Sequence, residues 1–306
     1  MDNNFTNLVK KNEKTFGRGL YQTNPSFKIE KGKIKKGYKD LFSIFCKNYK
    51  EGSRVFLIDG FNGSDWIIFK KSLDELFSKN DLKVVWENID KYLLPEKNIT
   101  EKIKPFLGAK DPLWGTHYPF GMESFFDPIA ISNLRIKSAK NKNKQRFYII
   151  YGCGAGVLDI YDCLIYVDIP KDFIQERART NNVKNIGLKR SSDFSKFYKQ
   201  SYFIDWPAQN RKKKELLPHI DYLIDLRDQN TPATIKGSDF RSALSLIAET
   251  PFRPRPWFYP GPWGGKFMQG HMGLDPRKPN FAWSFELIAP ENGIVIKSDD
   301  KILEFS

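Results

Sequence analysis

Six short apolar runs, separated by stretches of helical period, constrain this chain more than anything else in it. Arg54-Val-Phe-Leu-Ile-Asp59 leads into Gly60, Lys83-Val-Val-Trp86 comes next, and Arg146-Phe-Tyr-Ile-Ile-Tyr151 precedes Gly152. Cys163-Leu-Ile-Tyr-Val-Asp168, Tyr202-Phe-Ile-Asp205 and Tyr222-Leu-Ile-Asp225 complete the set. Short runs with little polar alternation suit strands buried on both faces, as in a parallel sheet covered by helices. Between them, Tyr38, Leu41, Phe42 and Phe45 recur at helical spacing, and Trp66 to Ser78 does the same. Lys171 to Thr180 reads as a helix behind Pro170, a residue suited to a first turn. The pattern predicts an α/β fold, a mostly parallel sheet with helices on both faces.

The chain is long enough for two domains or for one large domain with an appendage, and 40% of its 306 residues are apolar. A formal net charge of +14 raises the question of nucleic acid. The lysines are scattered, at 10–11, 31–39, 137–144 and 212–214, and no zinc-finger, helix-turn-helix or RNA-binding aromatic motif accompanies them. A nucleic-acid partner is therefore only a remaining alternative. Cys46, Cys153 and Cys163 are odd in number and form no Cys-x-x-Cys, which supports neither a disulfide framework nor a zinc ribbon. There is no long apolar run and no apolar segment near Met1, so the expectation is a soluble, cytoplasmic protein with no membrane span.

Prolines 251, 254, 256 and 260 break regular structure after Glu249. Residues 253–266 hold four prolines and three glycines, yet also Trp257, Phe258, Tyr259 and Trp263, too aromatic for a plain linker. The expected division is a basic extension over 1–36, an α/β domain over 37–250, and a β-rich segment over 251–306.

The turn after the first run has the context of a phosphate loop, where backbone amides and a helix N-terminus hold phosphate charge. In that motif the second glycine, the lysine and the hydroxyl would fall at Asp65, Trp66 and Ile67, so all three are missing. Asp65 puts a carboxylate where phosphate would sit. Either this is a plain strand-to-helix turn with Asp65 as N-cap, or the loop retains some anion binding. In the second case Gly60, Asn62, Gly63 and Ser64 would hold the phosphate or nucleotide. Gly152-Cys-Gly-Ala-Gly156 is a second glycine-rich turn, and Val157 stands where the dinucleotide fingerprint needs glycine.

Asp168-Ile-Pro-Lys-Asp172, with Arg177 and Arg179 just beyond it, resembles the arginine-bearing lid region of nucleoside and nucleotide kinases. There such arginines clamp phosphoryl oxygens, whereas a solvated helix face is the plain alternative. From about Asp111 onward the chain resembles the long bacterial form of class I mannose-6-phosphate isomerase, in which a kinase-like region precedes a cupin-type barrel. The pieces that carry this are Asp111-Pro, Phe125-Phe-Asp-Pro128, Tyr151-Gly-Cys-Gly-Ala155, Asn185-Ile-Gly187, Tyr198-Lys, Phe203-Ile-Asp-Trp206 and Arg211. Phe252-Arg, Pro260-Gly-Pro-Trp-Gly-Gly265 and Asn280-Phe-Ala-Trp283 continue the order.

The resemblance implies interconversion of mannose 6-phosphate and fructose 6-phosphate at a zinc ion held by a glutamine, two histidines and a glutamate. His117, His219 and His271 lie in no such pattern, so no zinc or other cofactor is expected in this chain and no catalytic residue is carried over. Residues 251–306 are expected to be only the start of the barrel, and the chain is expected to be inactive alone. The alternative is a nucleotide-binding or phosphotransferase module. Trp263, Phe267, Phe281, Trp283, Phe285, Ile288, Ile294, Val295 and Ile296 lead us to expect a partner chain or self-association rather than fold-back.

Overall fold

The computed structural model describes residues 25–109, 111, 114–251, 254–255 and 291–306. The apolar runs form the middle of a seven-stranded sheet. Its order is β4 (Val84–Asn88), β5 (Phe147–Gly152), β3 (Val55–Gly60), β6 (Cys163–Asp168), β7 (Tyr222–Asp225), β8 (Ala233–Lys236) and β2 (Ile34–Lys36). The first five are mutually parallel. The last two pairings are antiparallel. All residues of β3, β5 and β6 are buried, which is why they read as unbroken apolar runs.

Successive residues along these strands serve opposite faces. Phe56, Ile58, Phe147, Ile149, Ile165 and Val167 pack under α1 (Tyr38–Lys50) and α2 (Trp66–Lys79), against Leu41, Phe45, Phe69, Leu73 and Phe77. Burying each such side chain contributes roughly 1.5–3 kcal/mol, so this aromatic layer is a principal anchor. Leu57, Tyr148, Ile150, Leu164 and Tyr166 belong to the larger core. Its helices are α3 (Glu96–Ile103), α4 (Pro128–Asn141), α5 (Lys171–Arg179), α6 (Phe194–Gln200), α7 (Trp206–Leu216) and α8 (Gly237–Ala248).

Two expectations about single segments need correcting. Tyr202–Asp205 is not a strand: Ser201–Asp205 is a π-helical turn joining α6 to α7. Phe197, Ile204, Ala208 and Leu216 supply its buried apolar face, while the polar Ser201, Asp205 and Gln209 are buried beside them. That mixture hid the helical period. In addition, Ile34–Lys36, expected in the extension, is the edge strand β2 of the main sheet.

The expected cupin-like start of a barrel falls mostly on 252–253 and 256–290, outside the described residues. The C-terminal residues form a hairpin of β9 (Ile294–Ser298) and β10 (Lys301–Phe305), with β1 (Phe27–Lys28) parallel to β9. This three-stranded sheet docks on the α/β unit. The Glu304 amide donates to Asp225 at 2.7 Å and the Ser306 amide to Asp168 at 2.8 Å. Val295, Ile296 and Leu303 are buried within the chain, whereas Trp263, Phe267, Phe281, Trp283, Phe285 and Ile288, on which the expectation of a partner also stood, lie outside the described residues. No helix among the described residues is long and apolar enough to cross a membrane.

Candidate functional site

The chain leaves the carboxyl end of β3 toward β4 on one side, and leaves that of the adjacent β5 toward β6 on the other, so the strand order reverses between β3 and β5. Open parallel sheets bind ligands at such a switch point. A cleft of about 580 Å³ lies here, lined by residues 62–67, Asn88, Asp90, 93–96, Cys153, Arg177 and 182–189.

The loop after β3 is tightly packed. A Cβ on Gly60 would lie 2.5 Å from the Val167 carbonyl oxygen, and Gly63 has φ 108° with Ile174 against it. Asp65 caps α2, its carboxylate accepting from the amides of Ile67 at 3.2 Å and Ile68 at 3.0 Å. Arg177 donates to the Gly63 carbonyl at 2.6 Å and pairs with Asp65 at 3.1 Å. The amides and helix dipole that would hold a phosphate thus hold a carboxylate of the chain itself, neutralised by the arginine expected to clamp the ligand. Asn62 donates to the Lys184 carbonyl at 2.7 Å, while the buried Ser64 hydroxyl has no partner. Of the six residues expected to bind phosphate, Asn62, Gly63, Ser64 and Arg177 line the cleft. Gly60 is buried behind them, and Arg179 lies 4.1 Å over the Phe194 ring, outside the cleft.

The second glycine turn is an anion cradle too, and it is also filled. The amides of Gly60 and Gly154 each donate to Asp59 at 2.7 Å. Gly154 has φ 87°, and a Cβ on Gly156 would press on the same carboxylate at 2.6 Å. Burial pushes the Asp59 carboxyl up to about 6, against the pull of these amides.

The floor of the cleft was not foreseen. Asn185, 2% exposed, donates through Nδ2 to the Phe197 carbonyl at 3.1 Å, Ser201 Oγ at 3.1 Å and Asp205 at 2.8 Å. These acceptors fix the amide orientation and leave Asn185 Oδ1 with no partner. Burial pushes Asp205 up to about 7, although Asn185, the Ile186 amide and Gln200 all donate to it. Gln209 donates to the Cys153 sulfur at 3.0 Å, and its own Oε1 is unpartnered. Burial also holds the Cys153 thiol well above its ordinary range. At the mouth, Asp90 keeps contact with solvent while the surrounding protein raises its pKa and the Lys184 charge lowers it. One signal could have exposed the floor: Ser201, Asp205 and Gln209 fall four residues apart, a polar stripe on a buried helix face.

The other half of the sheet's carboxyl edge is closed. Buried Lys213 pairs with Asp168 at 2.7 Å. Arg227 joins Asp225 to Glu304, each at 2.8 Å, and Arg255 joins Glu304 to Asp172. Lys171 lies 4.4 Å from the Phe61 ring centroid, pushed down to about 7 chiefly by burial and then by the Lys213 charge. Among the described residues, no three or more His, Cys, Asp and Glu side chains are grouped to hold a metal. His271 lies outside the described residues.

Sheet and site together define a mostly parallel α/β domain with a cleft at its switch point, where the Asp65 carboxylate occupies the N-terminus of α2. The chain belongs to the family described as a domain of unknown function, DUF8485, whose model matches residues 37–249. No curated protein matches it in sequence. Among solved structures it is similar to a "putative fructose transport system kinase" from Silicibacter sp. TM1040. The identity is 14%, with 56% of this chain and 94% of that chain covered and a TM-score of 0.39.

Proposed function

We propose that residues 37–250 are a kinase-like domain that binds a small ligand without transferring phosphate, joined to an isomerase-type segment of the mannose-6-phosphate isomerase kind. One observation carries the first half: the Asp65 carboxylate sits on the α2 amides with Arg177 paired to it. A triphosphate would have to displace that pair and then face Asp65 with no loop lysine to offset it. The isomerase half rests on the sequence resemblance. It gains support because several of its pieces meet in space: Asn185 with Asp205, and Cys153 with the helix that carries Trp206 and Arg211.

The test is calorimetric titration of the chain with Mg-ATP, beside a phosphate-release assay. We expect no hydrolysis above background. Turnover of ATP that is abolished in Arg177→Ala would overturn the kinase-without-transfer reading. For the second half, the chain alone should not interconvert mannose 6-phosphate and fructose 6-phosphate. A longer relative that carries the barrel should do so, and failure of that relative would remove the isomerase reading.

A further inference from the structure

We infer that the cleft at the carboxyl ends of β3, β4 and β5 is a binding site for a neutral, polyhydroxylated small molecule, held by Ser64, Asn185 and Asp90. The inference rests on the proposed function only in taking the phosphate seat as filled. Three observations lead to it. Ser64 Oγ and Asn185 Oδ1 are buried in the lining of one cleft without a hydrogen-bond partner, in residues 8% and 2% exposed. Leaving such groups unpaired is destabilising, so a ligand that pairs them recovers what the fold forgoes. Their chemistry is also specific. An amide oxygen only accepts, a hydroxyl donates or accepts, and Asp90 adds two acceptor oxygens with no ion pair within 4 Å among the described residues. The site therefore seeks a ligand rich in O–H donors.

Charge then narrows the class. The cleft lining sets Asp65, Asp90 and Glu96 against Arg177, Lys184 and Lys189, so its charges balance and it favours neither an anion nor a cation as a whole, and Asp65 is already paired with Arg177. A phosphate would meet the Asp65 carboxylate where helix amides would otherwise receive it. Trp66, Val183 and Ile186 supply apolar wall, suited to the C–H face of a sugar ring or polyol chain. The cleft volume of about 580 Å³ has ample room for one six-carbon sugar.

The experiment is calorimetry on the full chain with D-mannose, D-fructose, sorbitol, mannose 6-phosphate and Mg-ATP, each taken to tens of millimolar. At least one uncharged sugar or polyol should bind, and its phosphorylated form should bind no tighter. Ser64→Ala and Asp90→Asn, both changes that spare the packing, should each weaken binding five-fold or more, with Asn185→Ala weakening it further. No binding by any uncharged probe would overturn the inference, as would a ten-fold preference for the phosphate ester. Binding unchanged in both Ser64→Ala and Asp90→Asn would do the same. ATP turnover in the same samples would strike at the proposed function, and sugar binding that is weakened in Ser64→Ala and Asp90→Asn would still support this site.

Discussion

The two halves of one sheet edge handle buried polarity in opposite ways. Beyond β6 and β7, Asp168 and Asp225 receive amides of the β10 segment, and Lys213, Arg227 and Arg255 find carboxylates. Beyond β3, β4 and β5 the edge is open, and Ser64 Oγ, Asn185 Oδ1 and Gln209 Oε1 stay unpaired. Arg211 Nε on α7, Ser192 Oγ and the Thr234 hydroxyl in β8 are also unpaired. The contrast separates two uses of the same residue types. A compensated charge network specifies where a segment docks, whereas an uncompensated polar floor weakens the fold and is kept where something else can complete it.

The strongest way to break this comparison is to unpair the closed half. Asp168→Ala leaves Lys213 buried without its partner and should destabilise the chain by about 3–5 kcal/mol in urea unfolding. A change under about 1 kcal/mol would mean that the network does not lock the hairpin. Next comes acidity. Asp59 and Asp205, at about 6 and about 7, bind more protons folded than unfolded, so they make stability fall as pH rises from about 4 to 7. Lys171, lowered to about 7, binds fewer protons folded, and makes stability rise again from about 7 toward 10.5. Thermal unfolding should therefore show a minimum near neutral pH. Asp205→Asn should flatten the acid limb and Lys171→Met the alkaline one; a flat profile in the parent chain would contradict both environments.

A smaller effect tests the filled seat. Asp65→Ala removes the cap of α2 and should cost about 1–2 kcal/mol, while inorganic phosphate should begin to protect the variant against unfolding. Protection of the parent chain to the same degree would show that the seat was never blocked. The smallest expected change is Ser64→Ala, within about 0.5 kcal/mol of the parent or slightly stabilising, since it deletes an unpaired hydroxyl. A loss above about 2 kcal/mol would show that the hydroxyl has a structural partner, and the contrast between the halves would weaken.

Much of the scaffold was readable because burial on both faces leaves an unmistakable trace. β3, β5, β6 and β7 lie within a residue of their apolar runs, and Asp65 caps α2 as its position suggested. β8, with the sequence Ala-Thr-Ile-Lys, and the three-residue β2 carry too short a pattern to stand out. The site was legible on one wall only. Asp65 could be seen to oppose phosphate, but Arg177 gave no hint that it would close on Asp65. The floor depends on a π-helical turn bringing Asp205 to Asn185, and tertiary contact decides that geometry. The docking of β10 was hidden for a related reason: Asp168 and Asp225, the carboxylates that receive its backbone, stand far earlier in the sequence.

That separation bears on how the molecule is made. Lys213 and Ser306, which touch in the finished fold, are 93 residues apart, and Ser298 bonds to Glu30 across 268. At ribosomal speeds of about 5–20 residues per second, some 5–20 s pass between the synthesis of Lys213 and the arrival of the strand that covers it. Throughout that interval the ammonium is bathed in water and the β6–β7 end of the sheet lies bare. A nascent chain stalled before the hairpin is therefore a distinct species, one that a chaperone could recognise and that vanishes when the last strand closes.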